Sequence, residues 1–447
     1  MIGKQEALKI IEKVMSFAKG FDIAAHLVSE DLAFTRYARN RIHQNLKRQN
    51  HILTVRVIKG KKSGAASVNL MDEGSLRWVV QQAHESMELA QEDPELPPLS
   101  KAPATPEVST YAPSTAAMTP KGQALGCGVV ISAARGKGLL ASGTYSAVVR
   151  ENVVANTLGT RAYNVSTEGF FRTIVESGTN TGYADRLARD VRDIDYGQVA
   201  EEAVERAIRF NEPVDIVPGR YDTIFLEYAL SDLVRFLGYV AFGAAAKQRG
   251  TSFMATKTGH KVMGDNITIW DDGLDTRGFA SPFDVEGTPR QKVVFIDRGV
   301  ASGVVYDTRT AAKEGVSSTG HAEFGWRRAQ PRPHSMFMAT GGSSVEEMIK
   351  STKKGILVTR FHYTHCPEPI RVVATGTTRD GTFLIEDGQV VARVRNLRFT
   401  ESMLDAFSRV DAISADSRVV RDWWSTFTSV LPSVKIKEFS FTGATTF

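Results

Sequence analysis

An α+β fold is what this sequence predicts: an N-terminal helix, strand-hairpin and helix domain, then a larger, mostly antiparallel β domain with helices, of sandwich or barrel type. Three observations carry that expectation. Apolar residues recur at three- and four-residue steps in several segments before about residue 250. From about residue 265 short apolar runs alternate with Gly and Asp turns. Seven of the 16 prolines fall within residues 94–120, a density that cannot sustain a hydrogen-bonded ladder and that predicts a linker. The expected division is therefore an N-terminal α/β domain over 1–92, a Pro-rich linker over 93–120 and a C-terminal domain over 121–447, helical to about residue 250.

Taken in order, residues 2–19 place Ile2, Ala7, Ile10, Ile11, Val14, Met15 and Ala18 on one helical face. Arg36 to Arg48 interleaves basic with apolar residues, the pattern of a half-buried strand with a solvated basic face. His51–Ile58 and Ser63–Asn69 flank Lys59-Gly60-Lys61-Lys62, which predicts a hairpin. Residues 74–92 return to helical spacing. Past the prolines, 121–139 predicts a helix, Gly143–Glu151 and Gly169–Glu176 strands, and 185–210 a helix interrupted near Asp195–Gly197. Leu226, Leu230, Leu233, Val234, Leu237, Val240 and Ala241 predict one long core helix within 221–249. Near the C-terminus, Asp387-Gly388 between two apolar runs is a two-residue hairpin signal, because both central positions need positive φ.

Composition narrows the function classes. The chain has 447 residues, 42% hydrophobic and 23% charged, with formal net charge +5, an ordinary globular balance. Residues 1–60 hold 11 Lys/Arg against 5 Asp/Glu, so the basic excess is local. That argues against a phosphate-backbone binder, whose whole surface would be basic. Cys127 and Cys366 are the two cysteines, too few for a disulfide framework or a Cys-rich zinc module. No run approaches the ~20 apolar residues that span a bilayer, and the first 25 residues are broken by charges. A cytoplasmic location, with no membrane partner, is expected.

Among chemical motifs, no phosphate loop, dinucleotide fingerprint or nucleophile elbow occurs. His362-Tyr363-Thr364-His365-Cys366 gathers three possible zinc ligands within five residues. Strand alternation would send His362 and His365 to opposite faces, and Pro367 bends the chain just beyond. A self-sufficient hydrolase built on His362, His365 and Cys366 is thus the second reading, and a gyrase-associated or nucleic-acid regulator resting on the 36–48 patch the third.

Several stretches together resemble one family along nearly the whole chain. These are Thr35-Arg36 through Asn45, Tyr183-Ala184-Asp185-Arg186 and Arg249-Gly250-Thr251-Ser252-Phe253. Near the C-terminus come Tyr363-Thr364-His365, Thr375 to Phe383 and Val394 to Thr400. The chain is similar to the TldD/TldE family, whose TldE side is also called PmbA and was historically labelled a modulator of DNA gyrase. In that family a TldD-type subunit carries His-Glu-x-x-x-His on the helix before the Arg-Gly-Thr-Ser-like segment, and a Cys near the C-terminus completes a zinc site. Here the motif's position falls on Arg235 to Val240, Leu226–Arg249 contains no histidine, and no cysteine lies beyond Cys366. The resemblance therefore implies a TldE/PmbA-type subunit with no metal and no catalytic residue of its own. Zinc is expected in a TldD-type partner, with a heterodimer or homodimer enclosing a chamber for extended peptides. His365, Thr377, Arg379, Arg395 and Asn396 are the expected substrate-binding residues.

Overall fold

The computed structural model describes residues 1–323, 330–423 and 427–445. Its first lobe is a six-stranded antiparallel sheet. The strands are β1 (Asp22–Ala38), β2 (Arg41–Lys59), β3 (Lys62–Val68), β4 (Leu140–Asn156), β5 (Arg161–Ser177) and β6 (Asn180–Ala188), in spatial order β3-β2-β1-β4-β5-β6. Helices α1 (Lys4–Met15), α2 (Glu73–Leu89), α3 (Pro113–Ala116), α4 (Pro120–Arg135) and α5 (Tyr196–Ile208) complete it. The period-2 pleat sorts the side chains. Ile23, Ala25 and Leu27 of β1 and Leu53, Val55 and Val57 of β2 bury against Ala7, Ile11 and Val14 of α1 and Leu76 and Val79 of α2. Farther along, Tyr145 and Phe171 bury against α4 and α5. At Gly182 a Cβ would lie 2.1 Å from the Ala203 carbonyl, so only glycine lets α5 approach β6 this closely.

Three expectations change here. β1 pairs with β4 from Ala24↔Asn156 to Tyr37↔Gly143, so one sheet crosses the expected boundary at 93–120 and joins residues 22–68 to 140–188. The Pro-rich stretch is a strap laid on that sheet: Thr110 Oγ1 donates to the Val165 carbonyl (2.6 Å), Thr167 N to the Thr110 carbonyl (2.9 Å) and Ala102 N to Thr160 Oγ1 (2.8 Å). Residues 36–48 are two strands, not one. Arg39 and Asn40, at φ 49° and 63°, make a two-residue turn between β1 and β2, which Asn40 anchors by bonds to Leu139 and Ala141. Residues 41–50 are then mostly exposed, with Leu46 and Asn50 half-buried. Third, residues 185–188, expected in a helix, belong to β6, where Asp185 pairs with Arg172.

The second lobe starts with β7 (Gly219–Phe225) and α6 (Glu227–Phe236), so the single helix expected over 221–249 is a strand and then a broken helix. A π-helical turn over Leu237–Ala241 and an extended Gly243 separate α6 from α7 (Ala244–Gln248). There follow α8 (Met254–Lys257), β8 (Ile269–Asp271), β9 (Val293–Asp297), β10 (Val300–Ala301), α9 (Thr308–Glu314), β11 (Ala322–Glu323) and β12 (Gln330–Pro331). The chain continues with β13 (Ser335–Met338), α10 (Val345–Lys350), β14 (Lys354–Glu368), β15 (Val373–Glu386) and β16 (Gln389–Arg393). It closes with β17 (Leu397–Ser402), α11 (Met403–Phe407), β18 (Val410–Arg421) and β19 (Thr428–Ala444). Asp387 and Gly388 make the expected positive-φ turn between β15 and β16.

The barrel alternative is the one observed. β7 pairs with β14 on one side and β19 on the other, and β14-β15-β17-β19 completes the ring. Phe225, Phe361, Phe399 and Phe439 come from four of its strands and fill it with ring centroids 4.3–5.6 Å apart.

Candidate functional site

Position 235, where the resemblance puts the first zinc histidine, is an arginine in the last turn of α6. Its Nε lies 3.0 Å from Asp422 Oδ1, one guanidinium nitrogen 3.6 Å from Asp232 Oδ1 and 3.2 Å from Thr364 Oγ1. Thr364 also donates to Asp232 at 3.1 Å. Burial pushes the Asp232 carboxyl up to about 6, and Arg235 pulls it back. These residues do not fit a zinc ion: a guanidinium has no lone pair to give, and Phe236 and Val240 offer no donor.

Beside this network the first sheet meets the second lobe. Arg360 of β14 holds Asp380 at 2.5 Å and packs its guanidinium over the rings of Tyr183 (4.5 Å) and Trp423 (4.3 Å). Arg172 of β5 stacks on the same indole at 4.4 Å. Asp185, hydrogen-bonded by Tyr183, is pushed up by burial to about 6. The junction is thus an arginine, aromatic and carboxylate mesh in which Arg360 pairs with Asp380 and Arg172 packs on Trp423.

The expected substrate residues separate. His365 is exposed on an irregular stretch of β14, edge-on to Tyr363 at 4.6 Å and opposite Thr375. Thr375 in turn meets Arg398 and Thr400. Arg379 lies directly across the ladder from Arg360, 4.0 Å from Asp380. Thr377 is buried and donates to the His362 carbonyl. Arg395 and Asn396 sit elsewhere: Arg395 pairs with exposed Asp215 at 2.8 Å, and the Asn396 carbonyl accepts from Thr445. The cluster that suggested zinc does not converge either. Cys366 points its Sγ at the Glu368 carbonyl (3.7 Å), burial pushes its thiol up to about 11, and among the described residues no three His, Cys, Asp or Glu side chains gather as a metal site.

A sheet edge is the remaining feature. β3 covers β2 only from Leu53 to Lys59. Among the described residues nothing pairs with the outer edge of Arg41–Ile52, which carries Arg41, His43, Lys47 and Arg48. Such an edge presents backbone donors and acceptors that another extended chain can take up.

Fold and site together define a two-lobed α+β protein with a closed barrel, an open sheet edge, and paired charges where metal donors would stand. The model of the PmbA/TldA metallopeptidase C-terminal domain matches residues 218–443, and that of the central domain residues 120–210. The chain belongs to the PmbA/TldD metallopeptidase family. It is 43% identical over 100 residues to an uncharacterized protein of Methanocaldococcus jannaschii, covering 22% of this chain and 24% of that one. It is 23% identical to the metalloprotease PmbA of Escherichia coli O157:H7 over 52% of this chain and 50% of the relative. A metalloprotease of Methanothermobacter thermautotrophicus aligns at 24% identity over 54% and 52%. The chain thus spans about half, or less, of the length of these curated relatives. TldE from Thermococcus kodakarensis superposes with a TM-score of 0.88 at 20% identity, covering 98% of this chain and 99% of that structure. A Thermotoga maritima structure described as a modulator of a DNA gyrase gives 0.87 at 20%, covering 98% and 100%. No helix among the described residues is long and apolar enough to cross a membrane.

Proposed function

We propose that this chain is a non-catalytic, TldE/PmbA-type subunit of a zinc metallopeptidase. It pairs with a TldD-type subunit, or with a second copy of itself, to enclose a chamber in which extended peptides are held. The observation that carries this reading is Arg235, a half-buried cation tied to buried Asp422 and Asp232 where a TldD-type chain is expected to bind metal. Its charge occupies the place a zinc ion would hold, so the metal and the general base come from a TldD-type partner. The unpaired edge of β2 supports the peptide-binding half, because main-chain pairing needs no particular sequence. His365 and Arg379 are the surface candidates for substrate contact; buried Thr377 and the Asp215-paired Arg395, with its neighbour Asn396, are placed to support the strands behind them. A cytoplasmic location belongs to the same proposal.

Elemental analysis tests it. The purified chain alone should hold substoichiometric zinc, and the pair with a TldD-type subunit about one zinc per two chains. One zinc per chain, lost on His365→Ala or Cys366→Ala, would restore the self-sufficient reading.

A further inference from the structure

A second polar site lies on the face of the first sheet opposite its helices. The register makes it: Val148↔Glu168, Arg150↔Ser166 and Asn152↔Asn164 are cross-strand pairs of β4 and β5, all on one face. With Arg189, the 279–285 loop, Arg290 and His334 they line a cavity of about 210 Å³ between the two lobes. By the ~10–15 Å³ that one water needs on this measure, the space suits a molecule of amino-acid to dipeptide size.

Its charges are unevenly matched. Arg150 is paired with Glu30 at 2.8 Å, and Glu168 with Arg421 at 2.5 Å. Asp284 accepts three backbone N–H groups, from Glu286, Thr288 and Ala322. Arg189 and Arg290 differ: among the described residues neither closes an ion pair, and the hydrogen bonds of each go to backbone carbonyls. Arg189 donates to Thr110 (3.2 Å) and Ala280 (2.7 Å) and lies over the Phe279 ring, and Arg290 donates to Gly320 (3.0 Å). Arg290 is 6% exposed, and the Nε of both arginines is buried with no hydrogen-bond partner among the described residues. Gly273 makes the room, since a Cβ there would lie 2.3 Å from the Arg290 stem. Asp284, Asp271 and Glu323 stabilise the Arg290 charge and Glu168 that of Arg189 without closing an ion pair. What is left over is the buried, unpartnered Nε–H on each, which costs free energy until an acceptor completes it, and the planar fork suits a carboxylate.

We propose that this cavity binds a small organic carboxylate, held by Arg189 and Arg290, with Asn152, Asn164 and Ser166 meeting its other polar atoms. A monoanion fits better than a phosphate dianion, because Glu168 and Asp284 share the wall and repel a second negative charge. The site is independent of the subunit reading and needs no partner chain.

Calorimetric titration of the full chain with propionate, L-alanine, L-alanyl-L-alanine and inorganic phosphate tests it. At least one carboxylate should bind saturably, at least tenfold more tightly than phosphate. Arg189→Met and Arg290→Met should each weaken it tenfold or more, and the surface variant Arg77→Met, on exposed α2, should not. Should the Arg290 variant fail to fold, Ser166→Leu fills the same space with both arginines intact and should cause the same loss. Absence of binding by all three carboxylates, tighter binding of phosphate, or affinity unchanged in Arg189→Met and Ser166→Leu would each overturn the proposal.

Discussion

At position 235 the choice of arginine does two things at once: it removes a metal donor and neutralises two carboxylates that would otherwise be buried alone. Arg235→Met should therefore destabilise the chain by about 3–5 kcal/mol at pH 7.5, the range for breaking a buried ion pair from one side. The pH dependence has a definite sign. Asp232 holds its proton more tightly folded, at about 6, than unfolded, near 3.9. Its charge thus costs stability above about pH 6, and the cost is relieved as pH falls toward 4. Without Arg235 the carboxyl is protonated more readily still, so denaturation at pH 5 should show a smaller loss than at pH 7.5. An equal loss at both pH values would mean that Asp232 is not the group left exposed by the substitution. The missing histidine could be read in the sequence because absence along one helix is a local fact. The carboxylates that pair with Arg235 could not, since Asp232 and Asp422 are brought together only by the fold.

Among the elements, β2 is the one whose role differs most between its two halves. Leu53–Lys59 is a sheet interior between β1 and β3, whereas Arg41–Ile52 is an edge. Basic and apolar alternation suggested one half-buried strand over 36–48, but a turn at Arg39-Asn40 without glycine gave no strong signal. Asp387-Gly388 was legible for the converse reason, since its residue types match what a positive-φ turn requires. If the edge takes up peptide by main-chain pairing, alternate N-methylation of a bound peptide should weaken binding at least tenfold, and scrambling its sequence less than about threefold. Equal binding of methylated and unmethylated peptides would move the site away from this edge.

For the molecule as a whole, the fold class, the proline segment and the β texture of the second lobe were written in composition and spacing. The pairing of β1 with β4 and the closure of the barrel by β7 on β19 were not, because both join residues more than a hundred positions apart. The strap over 93–112 shows the same limit: its prolines forbid a ladder, yet side-chain bonds and the Arg309–Asp93 ion pair at 2.5 Å fasten it to both lobes. The cavity between the lobes has no local signature, its residues being drawn from β1, β4, β5 and the loops near 189, 280–290 and 334. Peptide cleavage by this chain, by a TldD-type subunit, and by the two mixed tests the central claim most directly. The account predicts cleavage that needs both chains and is abolished by zinc removal. It also predicts that His365→Ala or Arg379→Ala here lowers the rate severalfold while the pair keeps its zinc. Cleavage by this chain alone, surviving complete removal of any partner, would contradict it.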